Sequence, residues 1–504
     1  MRLIYTFLLF LSIFPSQVEA QEFSALVMDS QSRQPVPFAT VQYGTNKGVI
    51  TNDEGIFSFI ASLKDSDTIT VSSLGYIPYP LLVKDLKGLK EKVIYVKPAN
   101  IELKDVFLTN KNLSGKQIVE LVKQRVKSNY NFDLSHKKVF YRESNVSNIR
   151  RFDLIVEKST FPELDQELMT NISRKVPKMS DSYKEVLGDL YGNYSSQKLQ
   201  VIKAANLHNP QSTAGLTELT DKLENIIKDN VKSNSFLKIK TGLLGVKVDA
   251  KELEKEMKEE KKTVEKTEEQ KEKDKNLRLD NLKSSTTSNI NGLLNSMFWN
   301  EDIPLDIFEK SNKYKFEVEG YTQMENSIVY ILSFQPKRGA NFKGRMYVNT
   351  VDYGIHRLDY QNLKPLKKFS LLGISTASDV YRGKMIFSRG ENGKYETRYV
   401  EREKGESFGI DRPLTIIEKN KFVAGRRKQN ELDMEIKINA GQTTKHQLVV
   451  YETSFLNDNE FKAQKTSEPF EYKTFKLYNP EYWNGYNIIE PNAAIRSFTA
   501  AAEE

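Results

Sequence analysis

The spacing of apolar and polar residues changes along the chain, and each change predicts a different kind of element. Between residues 23 and 98, short apolar runs alternate with turn-forming residues, a pattern typical of an antiparallel β-sandwich. From Ser114 to Tyr130, apolar residues recur three and four positions apart, which predicts an amphipathic helix with Ser114 as its N-terminal cap. From Tyr314 onward they recur at every second position, which predicts a meander of antiparallel strands.

The region between the predicted helix and the meander has a mixed pattern. Val139–Glu143 and Phe152–Val156 are rich in aromatic and branched residues and predict strands. Lys251–Lys275 consists almost entirely of lysine and glutamate, and pairs such as Glu254 with Lys258 favour a solvated helix. A disordered linker and a partner-binding helix are the alternatives, whereas the apolar residues are too sparse for a coiled coil.

The N-terminal strands carry several motifs in a fixed order. They are VMD at 27–29, PVPFATV at 35–41, the segment 48–59 and VSSLGY at 71–76. These residues resemble the carboxypeptidase regulatory-like domain, which is common at the front of exported Bacteroidetes proteins. The resemblance implies a transthyretin-like sandwich of seven strands, with Ala25 standing where the family usually has glycine. In that family the domain accompanies peptidases and outer-membrane receptors among other partners and is not itself catalytic, so it implies no activity.

A second, shorter resemblance lies in the meander. The segment from Phe334 through Gly344 and Tyr347 to Ile355 is similar to strands of the unclosed β-barrel used by periplasmic lipoprotein carriers. This resemblance implies a carrier of a lipid or an acylated ligand.

The predicted elements define a fold class and a division of the chain. We expect a mainly β protein with an α+β C-terminal region, in which an N-terminal seven-stranded β-sandwich is followed by helices and a large antiparallel sheet. The expected segments are a signal peptide at 1–20, the carboxypeptidase regulatory-like β-sandwich at 21–100, an α+β region at 101–214, a charged helical segment or linker at 215–290 and an antiparallel β-rich domain at 291–504.

The first residues have the features of a secretory signal. Arg2 provides a positive start, Leu3 to Phe14 form an apolar run, and Val18-Glu19-Ala20 is suited to cleavage before Gln21. About 12 apolar residues reach roughly 18 Å as a helix, which is short of a hydrocarbon core of ~30 Å. We therefore expect export to the periplasm or to an outer-membrane-associated position, with no integral membrane span after signal cleavage.

Composition narrows the classes of partner and chemistry. The chain has no cysteine, which excludes disulfides, thiolate metal sites and a cysteine nucleophile. Its net charge of +8 over 504 residues is diffuse and predicts no nucleic-acid partner. Two local basic clusters stand out, Arg426-Arg427-Lys428 and the looser set of Lys364, Lys367 and Lys368. Each is interpreted as a solvated turn, and attraction to phosphate-bearing lipids or acidic polysaccharide is the alternative.

The sequence contains few candidates for catalysis or metal binding. His136, His208, His356 and His446 are far apart and lack metal-ligand spacing. Gly405–Gly409 has the form of a nucleophile elbow, but its charged flank and Pro413 contradict the required strand and helix, so we predict a loop between strands.

Two further motifs have structural and functional interpretations. Asp53 and Glu54 fit a turn better than a calcium site, because calcium needs six or more oxygen ligands. The aromatic segment Tyr478–Asn487 either seals the end of a β core or binds sugar rings. The sequence therefore predicts no catalytic, cofactor-binding or metal residues, and no cofactor.

These observations favour a non-catalytic exported envelope protein that acts through protein or glycan contacts in the periplasm or at the outer membrane. A periplasmic carrier of a lipid or acylated ligand in an open β-barrel is one alternative. A hydrolase with an accessory regulatory-like domain is the other, because a catalytic pair could be assembled from distant residues among the 67 carboxylates.

Overall fold

The computed structural model describes most of the chain. The described residues are 20–44, 47–99, 113–209, 211–242, 244–252, 268–324, 327–337, 339–390, 392–424, 428–465 and 469–498, with side chains omitted for 211–220. The predicted signal peptide up to residue 19 lies outside them, as do residues 253–267 of the charged segment and Arg426 and Arg427 of the basic cluster. In the described part, no helix is both long and apolar enough to cross a membrane.

The described residues divide into two compact units. Of the described residues, the sandwich unit comprises those from 20 to 99 together with those in Tyr321–Val329 and Asn479–Ala493. The large unit comprises the described residues from 113 to Gly320, from Tyr330 to Tyr478 and from Ala494 to 498.

The sandwich unit contains seven strands within the described residues 21–96. The strands and the short helix are β1 Gln21–Asp29, β2 Thr40–Gly44, β3 Lys47–Ile50, β4 Ile56–Ala61, β5 Thr68–Ser72, β6 Tyr79–Leu82, α1 Val83–Lys87 and β7 Val93–Val96. One sheet has the strand order β4-β1-β7. In the other, the strands pair in the order β3-β2-β5-β6. The rings of Tyr43 on β2 and Phe59 on β4 stack at 4.3 Å, so the two sheets face each other.

The first strand shows why the sandwich forms. Phe23, Ala25 and Val27 alternate with partly exposed residues and are buried, as expected for a strand with one face in a core. Ala25, the departure from the family pattern, is accommodated in this buried row. The turn at Asn52–Gly55 also forms as predicted: Asn52 Oδ1 accepts hydrogen bonds from two backbone N–H groups, and Gly55 has a φ of 76°.

The segment Asn479–Ala493 completes the sandwich unit. Asn487 Oδ1 accepts a 2.7 Å hydrogen bond from Ile60 N, and Asn487 Nδ2 donates to Tyr43 Oη at 3.2 Å. The backbone of Pro491 accepts from Asn52 Nδ2 at 3.2 Å. The aromatic segment thus contributes to a β core, and its Tyr482 and Trp483 side chains are buried rather than open to a sugar ring.

The large unit is built around an antiparallel sheet of long strands, which confirms the predicted fold class. The strands from β8 onward are β8 Ser135–Ser159, β9 Met179–Gly192, β10 Gln197–His208, β11 Ser235–Thr241, β12 Leu244–Asp249, β13 Tyr314–Met324, β14 Ser327–Pro336, β15 Phe342–Asn349, β16 Ile355–Asn362, β17 Lys367–Leu371, β18 Ile374–Arg389, β19 Tyr395–Asn420, β20 Lys428–Phe455 and β21 Glu471–Phe475. Antiparallel pairing runs in the order β10-β9-β8-β20-β19-β18-β16-β15, and β21 joins β10 in parallel.

Helices cover parts of this sheet. The helices from α2 onward are α2 Gly115–Asn129, α3 Gln166–Lys175, α4 Gln211–Asn230, α5 Glu268–Leu294, α6 Asp458–Ala463 and α7 Ala493–Arg496. Helix α2 begins where the sequence predicts: Ser114 Oγ accepts from Gln117 N, and Gln117 Oε1 accepts from Ser114 N. Helix α5 packs against β10, β19 and β20 through a stripe at helical spacing that includes Leu282, Ile290 and Leu293.

Candidate functional site

The two faces of the large sheet carry different chemistry. On β19, Glu401 and Glu403 line a groove on one face, whereas Glu406 and Phe408 line a groove on the other. Successive side chains of a strand point to opposite faces, so Glu401 and Glu403 lie on one face of the sheet and Glu406 and Phe408 on the other. We call them the polar groove and the apolar groove.

The polar groove has a volume of about 720 Å³ and crosses several neighbouring strands. Six basic and four acidic side chains line it. They are Lys343, Arg345, Arg357, Arg382, Lys384 and Lys445, with Glu319, Asp359, Glu401 and Glu403. The strand register places Arg345 opposite Asp359, Asp359 opposite Lys384 and Lys384 opposite Glu401. Basic and acidic groups therefore alternate across the strands.

Ion pairs fix most of these side chains in place. Arg382 binds both carboxylate oxygens of Glu403, at 2.9 and 2.7 Å, which raises the pKa of the Arg382 guanidinium. Arg357 Nε lies 2.7 Å from Asp359 Oδ2, and a similar contact joins Arg345 to Glu319. Within the part of the chain that the structure describes, Lys343 has no ion-pair partner. Its ammonium group is the cation available to a ligand.

The floor of the polar groove is a hydrogen-bond network. The buried Tyr399 hydroxyl donates to Glu401 Oε2 at 2.7 Å, and Gln447 Nε2 donates to the same tyrosine oxygen at 2.7 Å. Lys445 Nζ lies 3.9 Å from Glu401 Oε2. Side chains held in this way can recognise a hydrophilic ligand without the entropic cost of being ordered on binding.

The apolar groove has a volume of about 740 Å³ on the opposite face. One cross-strand row in it contains Phe369, Thr376, Phe408, Ala440 and Ile149, each directly opposite the next. The same face continues along the strands beneath α3 and α4, where a core of aliphatic side chains is covered. The groove therefore lies where the apolar face of the sheet extends beyond its helical cover.

A buried polar network links α5 to the sheet. His446 Nδ1 lies 2.6 Å from Tyr141 Oη, and that hydroxyl donates to Glu143 Oε2 at 3.2 Å. Asn289 of α5 donates to the same carboxylate oxygen at 2.9 Å, and Lys184 approaches it at 3.5 Å. Burial lowers the pKa of His446 to about 4, so the imidazole is neutral at pH 7. The network holds the helix against the strands.

His356 is the second buried imidazole, with 1% of its surface exposed. Its Nε2 lies 3.4 Å from Tyr395 Oη, and its Nδ1 has no hydrogen-bond partner among the described residues. Burial lowers the pKa of His356 to about 4. Because the imidazole is almost fully buried and packs against the ring of Tyr395, this histidine belongs to the core.

These two histidines predict a stability that falls in acid. Their pKa lies near 4 in the folded chain and near 6.5 when unfolded, so between these values the unfolded chain binds protons that the folded chain excludes. We expect stability to be fully present above pH 6.5 and each histidine to reduce the free energy of unfolding by up to about 3 kcal/mol at pH 4.

Urea denaturation across this pH range measures the effect. The variant His356→Leu should flatten the pH dependence, whereas His136→Gln, at a half-buried site paired with Asp189, should leave more of it intact. An unchanged slope in His356→Leu would contradict the assignment.

The structure corrects one prediction about catalysis. Gly405–Gly409 lies within β19 rather than in a loop, with Ser407 paired to Ala377 on one side and Gly441 on the other. The charged flank and Pro413 predict a loop, but backbone hydrogen bonds to the strands on both sides hold the segment extended. The geometry of a nucleophile elbow is absent here.

Other residues identified from the sequence have structural roles. His136 pairs with Asp189 at 2.7 Å and stacks on Tyr191. Glu54 Oε1 accepts a hydrogen bond from Ala493 N, which uses the turn carboxylate internally. Within the described ranges, no three His, Cys, Asp or Glu side chains are grouped to hold a metal ion.

Sequence reasoning missed the polar groove and one lysine whose pKa is lowered by burial. The groove residues come from strands far apart in sequence, and the local signal was only the charge alternation at Glu401–Lys404. Burial lowers the pKa of Lys137 to about 8, with Glu396 opposing the shift. The adjoining cavity holds about 20 Å³, room for a single water rather than a substrate.

Comparison with known protein families identifies a domain in the N-terminal part of the chain. Residues 25–108 match the family model of the CarboxypepD_reg-like domain. No curated protein matches the chain. A solved outer membrane lipoprotein-sorting protein domain from Vibrio parahaemolyticus is 8% identical, and the match covers 69% of this chain and 97% of that domain. Its TM-score of 0.19 is too low to carry an argument about this chain.

Proposed function

Because residues 25–108 are a carboxypeptidase regulatory-like domain, we propose that they serve as the accessory module of a non-catalytic exported envelope protein that acts through protein or glycan contacts. In this proposal the signal peptide is removed before Gln21, and the mature chain works in the periplasm or at the outer membrane. N-terminal sequencing of the chain from a periplasmic fraction tests the export step, and a retained Met1 would contradict it.

The polar groove is the observation that carries the proposed binding role. Its four carboxylates each hold a partner, which offsets most of their negative charge: Glu319 binds Arg345, Asp359 binds Arg357, Glu403 binds Arg382 and Glu401 binds Tyr399. An apolar ligand would bury these groups without compensation. A ligand with spaced acidic groups would instead contact Lys343 and the outer sides of the arginines.

A charge reversal tests this groove. We expect the mature protein to bind an acidic polymer, polygalacturonate or polyglutamate, in preference to neutral dextran. Lys343→Glu should raise the Kd about tenfold, because it replaces an attraction by a repulsion in a partly desolvated groove. Isothermal titration at low salt measures the Kd.

The control is Lys116→Glu, which reverses an exposed lysine in the first turn of α2. It should bind like the wild type. Equal losses in both variants would indicate diffuse charge attraction, and failure of the wild type to bind any acidic polymer would contradict the groove proposal. The preferred polymer distinguishes an acidic glycan from an acidic protein segment.

The apolar groove favours a second candidate, the carrier of a lipid or acylated ligand. Its 740 Å³ and its row of Phe369, Phe408 and Ile149 suit an acyl chain. Mass spectrometry of organic extracts from protein purified out of native envelopes tests this candidate. A stoichiometric lipid would establish the carrier function, and a clean extract would leave the polar-groove proposal in place.

A further inference from the structure

The hairpin formed by Lys367–Leu371 and the start of β18 carries large apolar side chains into solvent. Phe369, Leu371 and Leu372 are 55%, 57% and 59% exposed, and all five residues of β17 are exposed. Leu371 pairs with Ile374, so Leu372 and Gly373 form a two-residue loop at the tip. We call this element the tip hairpin.

The loop of the tip hairpin has an unusual residue. Both central residues have positive φ, 49° for Leu372 and 77° for Gly373, as in a type I′ turn. Gly373 is required, because a Cβ there would lie 2.1 Å from the backbone oxygen of Asp411. The residue before it is usually asparagine, aspartate or glycine, since a bulky side chain is strained at positive φ. Turn geometry therefore does not explain why leucine stands at this position.

The charged residues of the tip hairpin and of the segment leading into it are all basic. No acidic residue lies between Asp359 and Asp379, whereas Lys364, Lys367 and Lys368 all do. In the described part of the chain these lysines have no ion-pair partner. The acidic groups on the neighbouring strand are Glu406, opposite Ser378, and Asp411, beside the turn.

The positions of these side chains along the hairpin are ordered. Lys368 precedes Leu371 by three residues, roughly 10 Å at the rise of a strand. A peripheral element is typically buried about 5–10 Å into a membrane interface. At that depth the leucines of the tip reach the acyl chains, and the lysines behind them lie level with the lipid headgroups. Phe369 lies between them, on the same face of the strand as Lys367 and Leu371.

We propose that the tip hairpin docks the large unit on an anionic lipid surface, with Leu371 and Leu372 in the acyl boundary and Lys367 and Lys368 among phosphate headgroups. An apolar protein partner or a second copy of the chain would need only the leucines for binding and would not require the lysines. The unpaired lysines behind them select a surface with distributed negative charge. This docking is independent of ligand binding in the polar groove, which lies on the other face of the sheet.

Vesicle sedimentation tests the proposal with the mature chain from Gln21. We expect binding to vesicles of phosphatidylglycerol and phosphatidylcholine, weaker binding to phosphatidylcholine alone, and a decrease with salt. Leu372→Asn should reduce the partition coefficient about tenfold, because it removes one leucine side chain from the acyl boundary. Asparagine suits the turn, so this variant retains its fold.

Two further variants complete the experiment. Lys367→Gln with Lys368→Gln should abolish the preference for anionic vesicles. Val351→Ser removes an apolar side chain that is 79% exposed in the turn between β15 and β16, and it should bind like the wild type.

The proposal is overturned if the wild type does not bind anionic vesicles or if Leu372→Asn binds them equally well. It is also overturned if light scattering shows a wild-type dimer that Leu372→Asn converts to a monomer, because the tip would then contact a second copy. Polymer binding by the polar groove is measured without lipid, so the two proposals can fail separately.

Discussion

Replacing Glu185 with glutamine is expected to lower the free energy of unfolding of the large unit by about 3–5 kcal/mol. Glu185 is fully buried and Arg142 is 3% exposed, and they face each other on β9 and β8. Both Nε and Nη2 of Arg142 lie 2.7 Å from Glu185 Oε1. Glutamine removes the carboxylate charge that the buried guanidinium binds, and the resulting penalty is larger than the net stabilisation that the pair provides.

Denaturation in guanidinium chloride, followed by the fluorescence of Trp299, measures the loss. The two tryptophans of the chain lie in different units, so a Trp483→Phe background isolates the signal of the large unit. As a control, Arg142→Met with Glu185→Leu removes both charges and should be close to neutral. A single variant as stable as the wild type would show that the pair is hydrated rather than buried.

Replacing Trp483 with alanine is expected to destabilise the sandwich unit by about 3–5 kcal/mol. The indole is buried, with Tyr482 at a ring distance of 5.2 Å, and its segment supplies the Asn487 hydrogen bonds to Ile60 and Tyr43. Removal of the ring leaves a large cavity and loosens the attachment of the segment to β4. Hydrogen exchange should become faster in β4, particularly at the amide of Ile60.

Hydrogen exchange with mass spectrometry detects this change through peptides that span Ile56–Ala61. Tyr486→Ala, at a side chain that is partly exposed, is the matched control and should cost about 1 kcal/mol or less. Unchanged protection of β4 in Trp483→Ala would mean that the C-terminal segment does not stabilise the sandwich.

Local patterns were sufficient for the elements whose stability is local. Ser114 was identified as a cap because its hydroxyl and the side chain of Gln117 satisfy backbone groups within one turn. The turn before Gly55 was identifiable for the same reason, because asparagine and glycine determine its geometry without distant partners. The regulatory-like domain and the antiparallel meander followed from motif order and from the two-residue period.

Non-local pairing decided the features that the sequence did not reveal. Strand β8 joins two predicted strands into 25 residues, because neighbours on both sides continue the ladder through the polar stretch between them. Strands β11 and β12 lie in a region where helix or linker was expected, and β11 is held by pairing with β19. Gly405–Gly409 likewise lies inside a strand because its backbone pairs with strands on both sides.

The candidate site was unpredictable for a related reason. Lys343, Arg382 and Glu403 are each ordinary surface residues in their own strands, and only the register brings them together. The division of the chain at residues 101, 215 and 291 stays a prediction, as does the absence of catalytic residues.

The return of residues 479–493 to the sandwich unit affects how the protein is made. Residues 21–96 leave the ribosome first, but Trp483 and Asn487 are synthesised almost 400 residues later. At a synthesis rate of ~5–20 residues per second, the sandwich waits tens of seconds for its last part. A nascent or prematurely ended chain therefore presents an incomplete module, open to proteolysis at β4. Arrival of residues 479–493 completes the module.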